Sequence, residues 1–196
     1  MSDVGREQGG GFEGEALVVW ARAGGHPVFL AALHHTASPF GPFVEIVAGE
    51  FRSRPGLRPR LRQSTLAVSG GPAQATGAEP ATLKWRADDP HREVRWEERD
   101  LSLRAEAKRV AVPAIVPSDL LHPGWAGAEA ESVRRLPARV QLARIDVEIP
   151  ADDDLLGRFG GRRSGFLVST GSRIGGEAWL HLLGRTLRLP AVPEPA

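Results

Sequence analysis

The chain has 196 residues and carries 25 lysines and arginines against 24 aspartates and glutamates, a formal net charge of +1 that demands no polyanionic partner. It is 41% apolar and 25% charged, inside the globular range, and long enough for a single domain to bury its own core. Cysteine is absent, which excludes disulfides, thiolate chemistry and cysteine-ligated zinc.

Residues 1 to 14 are polar and Gly-rich, with neither periodicity nor an apolar leader, and read as a flexible lead-in. Beyond them strict alternation of apolar and polar residues dominates, the pattern of strands with one buried face. "EALVVWAR" (15 to 22) and "PVFLAALHH" (27 to 35) form a hairpin through the glycine pair of "AGGH". "FVEIVAGEF" (43 to 51) and "RQSTLAVS" (62 to 69) are the next two strands. Between them "RSRPGLRPRLR" holds two prolines and a glycine that predict an exposed loop.

"TLKWR" and "REVRWEER" flank the turn signal "ADDPH" and read as a second hairpin. A turn centred between Pro90 and His91 sets Trp85 directly opposite Trp96. Alternation returns over 100 to 110, 138 to 149, 164 to 169 and 178 to 189. Helix signals are few: "SDLLHPGW" is interrupted by Pro123 and Gly124, and "DDDLLGRF" predicts one short helix with acids at its positive end.

The resulting fold class is mainly β (α+β with few short helices). One β-rich domain over 15 to 190 is expected, an antiparallel barrel-like sheet enclosing a pocket, followed by a Pro-rich tail at 191 to 196. No segment approaches 18 uninterrupted apolar residues, so no membrane partner and a cytoplasmic location are expected.

His34 and His35 point to opposite faces of one strand and cannot both ligate the same ion; one core histidine with a hydrogen-bonded ring and one exposed histidine are expected. Arg52, Arg54, Arg58, Arg60 and Arg62 concentrate positive charge without an aromatic platform, which argues against nucleic-acid binding. "ADDD" at 151 to 154 lacks the spacing of a calcium loop, and no phosphate-binding or dinucleotide glycine pattern is present. Neither a metal nor a cofactor is expected.

Glu45 is the unusual carboxylate, set among the apolar and turn-forming residues of "ASPFGPFVEI". Removing it from water costs several kcal/mol unless it is partnered. The run "LHHTASPFGPFVE" resembles the acetoacetate decarboxylase-like superfamily, in which an apolar strand enters a Gly-aromatic-x-Glu turn whose glutamate lines the active-site cavity. Gly41, Phe43 and Glu45 match that turn, and Gly77 and Glu79 of "PAQATGAEP" match the family's Gly-x-Glu before the catalytic lysine. "ATLKWRADD" and "EVRWEERDLSLRA" resemble the strand pair that follows. The likeness spans roughly residues 28 to 110 and, more faintly, the C-terminal strands.

The departures from the family are specific. Pro80-Ala81 stands where Schiff-base members carry Pro-Lys; Lys84 falls one position early and without its proline. Leu30 occupies the position of a second glutamate. The resemblance implies a divergent member that binds a small keto or carboxylic, partly apolar ligand without Schiff-base catalysis. Glu45, His35, Arg62 and Glu79 are the expected ligand-binding residues. Two alternatives stay open: an active decarboxylase or lyase with Lys84 as amine nucleophile and Glu45 as acid/base, and a lipocalin-like carrier or interaction domain. Alternation between Leu83 and Trp85 turns Lys84 toward solvent. A homo-oligomer is compatible with all three.

Overall fold

The computed structural model describes residues 13–37, 41–52, 60–70, 78–117, 135–150, 153 and 156–170. They form ten strands: β1 (Glu13–Ala23), β2 (His26–Ala37), β3 (Phe43–Arg52), β4 (Arg60–Val68), β5 (Glu79–Pro80), β6 (Leu83–Asp88), β7 (His91–Trp96), β8 (Leu101–Pro117), β9 (Arg135–Glu148) and β10 (Gly161–Thr170). All ten belong to one sheet in the order β5-β4-β3-β2-β1-β10-β9-β8-β7-β6. Every pairing is antiparallel except β4 with β5.

The two edge strands are sequence neighbours, and this sets the shape. A flat sheet of ten strands would hold its edges about 43 Å apart, at roughly 4.8 Å per spacing. The three steps from Pro80 to Leu83 can reach at most about 10 Å. The sheet therefore curls into a half-barrel. Ala81 N–H donates to Val68 O at 3.0 Å and Glu97 N–H to Thr82 O at 3.2 Å along the seam where the edges meet.

The concave face holds the main core: Leu17, Leu30, Ile46, Val94, Trp96, Leu103, Ile145 and Leu167 are buried together. Gly165 lies on this face of β10. A Cβ there would sit 2.4 Å from Val18 O and 2.6 Å from Ile145 Cδ1, so the curl needs a residue without one. The convex face is divided. Over β1 to β3 it is apolar and buried, with Val18, Phe29, Ala31, Leu33 and Val47 in a second cluster. Over β6 to β10 it carries Arg86, Glu93, Arg104, Asp146 and Arg162 in one cross-strand row. Charges of alternating sign in such a row attract their neighbours and stay hydrated.

The hairpin turns follow their residues. Gly24 and Gly25, with φ of 56° and 82°, form the two-residue β1–β2 loop. The β6–β7 turn is Asp89-Pro90, with Asp88 opposite His91. This corrects the tryptophan register: Trp85 faces Val94 and Trp96 faces Leu83, so the two indoles are diagonal rather than opposite. Pro90 has no N–H to give the ladder, so it stays in the turn and His91 is the first paired residue. β8 runs on to Pro117 because a bulge after Ala107 absorbs the break in alternation. The described part of "DDDLLGRF" holds a 3-10 helix at Gly157–Phe159, and Asp153 Oδ1 accepts from Leu156 N–H at 2.8 Å. The centre of the 52 to 62 loop with Arg54 and Arg58, the "SDLLHPGW" segment, Gly77, the 178 to 189 strand and the Pro-rich tail lie outside the described residues.

One polar contact bridges the concave face. Arg92 on β7, nine-tenths buried, donates from Nε and Nη2 to the two carboxylate oxygens of Glu15 on β1, at 2.7 and 2.9 Å. Its Nη1 reaches Asp89 at 2.7 Å and His91 O at 2.9 Å. The hydrogen bond with Glu15, above all, raises the guanidinium above its ordinary pKa. Arg92→Ala leaves Glu15 facing the interior without its partner and is expected to destabilise the fold by about 2–4 kcal/mol. Arg104→Ala, in the hydrated outer row, is expected to leave stability nearly unchanged. Urea denaturation of both variants measures the contrast; equal losses would mean that Arg92 does not hold the two halves of the sheet.

Candidate functional site

β2 and β3 pair with Leu33 opposite Glu45 and His35 opposite Phe43, so all four side chains share the convex face. Gly41, at φ 81°, turns the chain into β3. Ser69 then ties the start of β3 to the end of β4: its N–H donates to Val44 O at 2.8 Å, its Oγ accepts from Val44 N–H at 2.8 Å and donates back to Val44 O at 3.2 Å.

Glu45 is 0% exposed and His35 3%. His35 Nε2 donates to Glu45 Oε1 at 2.8 Å, diagonally across the two strands. The imidazole stacks on Phe43 with centroids 4.2 Å apart and 29° between planes. Phe43, Val68 and Ala78 close the neighbourhood as a small apolar cluster. Glu45 Oε2 is buried with no hydrogen-bond partner. A buried carboxylate oxygen accepts strongly from any O–H or N–H brought to it, because no water competes. The pair therefore offers one satisfied oxygen held by histidine and one free acceptor in an apolar setting.

The other expected site residues lie elsewhere. Arg62 sits on β4 opposite Glu50, whereas Val68 is the β4 residue opposite Glu45, which puts Arg62 roughly 20 Å along the strand. Glu79 is exposed on β5, with Arg99 Nη2 at 3.9 Å. Lys84 is exposed on β6, across the seam from β5, and forms an ion pair with Glu97. The fold thus brings together Glu45 and His35 and separates Arg62, Glu79 and Lys84 from them.

His34 is not exposed as expected. It lies half-buried on the concave face, stacked on Trp85 with centroids 5.2 Å apart. Burial pushes its pKa below the ordinary imidazole value of 6.5, with Glu15 opposing that shift and His35 adding to it. The concave cluster of Glu15, His34, Trp85 and Arg92 escaped the sequence reading. Its signal was present, since Glu15 keeps the parity of Leu17 and Val19, and Arg92 that of Val94 and Trp96.

The outer row of charges borders an open groove of about 440 Å³ lined by Arg86, Asp88, Arg104, Arg144, Asp146 and Arg162. Hydrogen bonds from Arg95 and then Arg104 hold the Glu93 carboxyl below its ordinary range. Glu93 and Glu106 line it as well, so carboxylates stand among the arginines and the groove projects no single-sign field. Among the described residues no group of three or more His, Cys, Asp or Glu side chains is placed to hold a metal, and no helix is long and apolar enough to cross a membrane. No protein-family model, curated protein or solved structure matches this chain.

Two measurements probe these histidines. His35→Ala strands a buried carboxylate and is expected to cost about 3–5 kcal/mol, whereas His35→Phe combined with Glu45→Leu is expected to be near neutral or stabilising. A double mutant as unstable as His35→Ala would show that the dyad is needed for folding itself. For His34 the unfolded chain protonates at the ordinary value while the folded chain resists it. The unfolded state therefore binds more protons as pH falls through 6.5, and the fold loses stability there. His34→Phe, which keeps the ring stack, is expected to flatten the stability profile between about pH 7 and 5. An unchanged profile in urea titrations would remove His34 from that role.

Proposed function

We propose that this protein is a divergent acetoacetate decarboxylase-like binder of small, partly apolar keto or carboxylic compounds, acting in the cytoplasm without Schiff-base catalysis. The observation that carries the reading is the free oxygen of Glu45, buried beside His35. Native folds pair nearly all such atoms, and an exception is the natural place for a ligand group. A carboxylate accepts and does not donate, so the matching ligand arrives with an O–H, either that of a protonated carboxylic acid or that of an enolised ketone. Phe43, Val68 and Ala78 supply contact area for the apolar remainder.

The absence of imine chemistry from this proposal rests on Lys84. A Schiff-base lysine needs a neutral amine, which burial or a neighbouring cation provides. Lys84 is exposed, paired with the Glu97 carboxylate and outside the Glu45 site.

Calorimetric titration with acetoacetate, pyruvate and hexanoate at mildly acidic pH tests the reading, together with borohydride trapping of any imine. Saturable binding of at least one probe is expected, weakened about tenfold or more in Glu45→Gln, which keeps the bond to His35 but offers an N–H where the ligand needs an acceptor. No adduct is expected on Lys84, with Lys108 as the internal control. A substrate-dependent adduct on Lys84 alone would establish the lyase, and binding unaffected by Glu45→Gln would remove the dyad as the anchor.

A further inference from the structure

The concave face carries a second buried polar atom without a partner, separate from the Glu45 site because β2 sends His34 and His35 to opposite sides of the sheet. Trp85 Nε1 is buried on that face with no hydrogen-bond partner. Trp96 Nε1 also lacks a partner at hydrogen-bond geometry but lies beside the exposed Glu98 carboxylate, so Trp85, whose ring stacks on His34, is the indole whose N–H is left without an acceptor. Neither ring nitrogen of His34 has a hydrogen-bond partner among the described residues. A neutral imidazole presents one N–H donor and one acceptor nitrogen.

The charges beside this pair decide what it can hold. Glu15 is the register partner of His34 on β1, and Arg92 lies diagonally from Trp85 across β6 and β7. The Arg92 guanidinium is engaged by Glu15, Asp89 and the His91 carbonyl, so it is not available to an incoming anion. Two carboxylates around one guanidinium leave the cluster with one net negative charge, which repels anions. Among the described residues of this cluster the unpaired groups are the Trp85 N–H and the two ring nitrogens of His34.

We propose that the concave face beside the His34–Trp85 stack is a second ligand site, in which Trp85 Nε1 donates to the carbonyl oxygen of a neutral ketone, ester or amide while the ligand's apolar part lies against the two rings. An unpaired buried N–H costs stability that a carbonyl acceptor restores, and neutral chemistry avoids the repulsion of Glu15 and Asp89.

Proton–nitrogen correlation spectra of the full chain resolve the indole N–H groups, and Trp85→Phe assigns the Trp85 signal. With cyclohexanone as probe, a saturable downfield shift of the Trp85 N–H is expected. Cyclohexanecarboxylate at neutral pH, the anionic counterpart, is expected to leave it in place. Trp85→Phe retains the ring on His34 and is expected to weaken cyclohexanone binding, followed by calorimetry, about tenfold or more. Glu45→Gln is expected to leave the shift unchanged, which separates this site from the first. A Trp85 signal that responds to neither probe, as when a tightly held water already accepts its proton, would overturn the proposal. So would an equal response to the carboxylate, or undiminished binding in Trp85→Phe.

Discussion

The whole arrangement depends on one constraint: the edge strands β5 and β6 are joined by only Ala81 and Thr82. A ten-stranded sheet whose ends are tied this closely cannot remain flat, and the right-handed twist of strands supplies the sense in which it closes. Curling creates a concave face in which residues from strands remote in sheet order meet. Leu17 and Leu30 pack in the same cluster as Trp96 and Leu103 for this reason. The β1–β10 pairing, which joins residues near the start and the end of the described chain, completes the run of strands between the two edges.

Closure also decides where polar groups can be buried. On the concave side Arg92 and Glu15 come from opposite halves of the sheet and meet only because it curls. Their bond gives each a partner, and Asp89 and the His91 carbonyl take the remaining guanidinium donor group. On the convex side His35 and Glu45 belong to adjacent strands and would meet in a flat sheet as well. The two polar contacts thus differ in kind. One reports on tertiary closure and the other on local register.

Adjacent histidines serving different faces give this β2 strand two distinct polar environments from one dipeptide. His35 is tied to a carboxylate and stacked on Phe43; His34 stacks on an indole. Each lies beside a buried polar atom without a partner, an acceptor oxygen on the convex face and a donor nitrogen on the concave face. The complementary chemistry is why we assign ligands of different class to them, an O–H donor to Glu45 and a neutral carbonyl to Trp85. Lys84, on the convex face of the edge strand β6, takes part in neither.

The sequence by itself marked every described strand except the short β5, because alternation with a period of two is a local property of the chain. It also determined the Gly24-Gly25 turn and the division of His34 from His35, and it marked Glu45 as a carboxylate in apolar company. Only the tertiary structure decided that His35 rather than Arg62 is the partner of Glu45, since that depends on the register of β2 on β3 and β3 on β4. The diagonal placement of Trp85 and Trp96 turned on a shift in the centre of a single hairpin turn. The pairing of Arg92 with Glu15 spans 77 positions and was out of reach for any local pattern. Periodicity states which face a side chain takes; which residue it meets there depends on strand order and curl, and those arise from contacts between segments far apart in the chain.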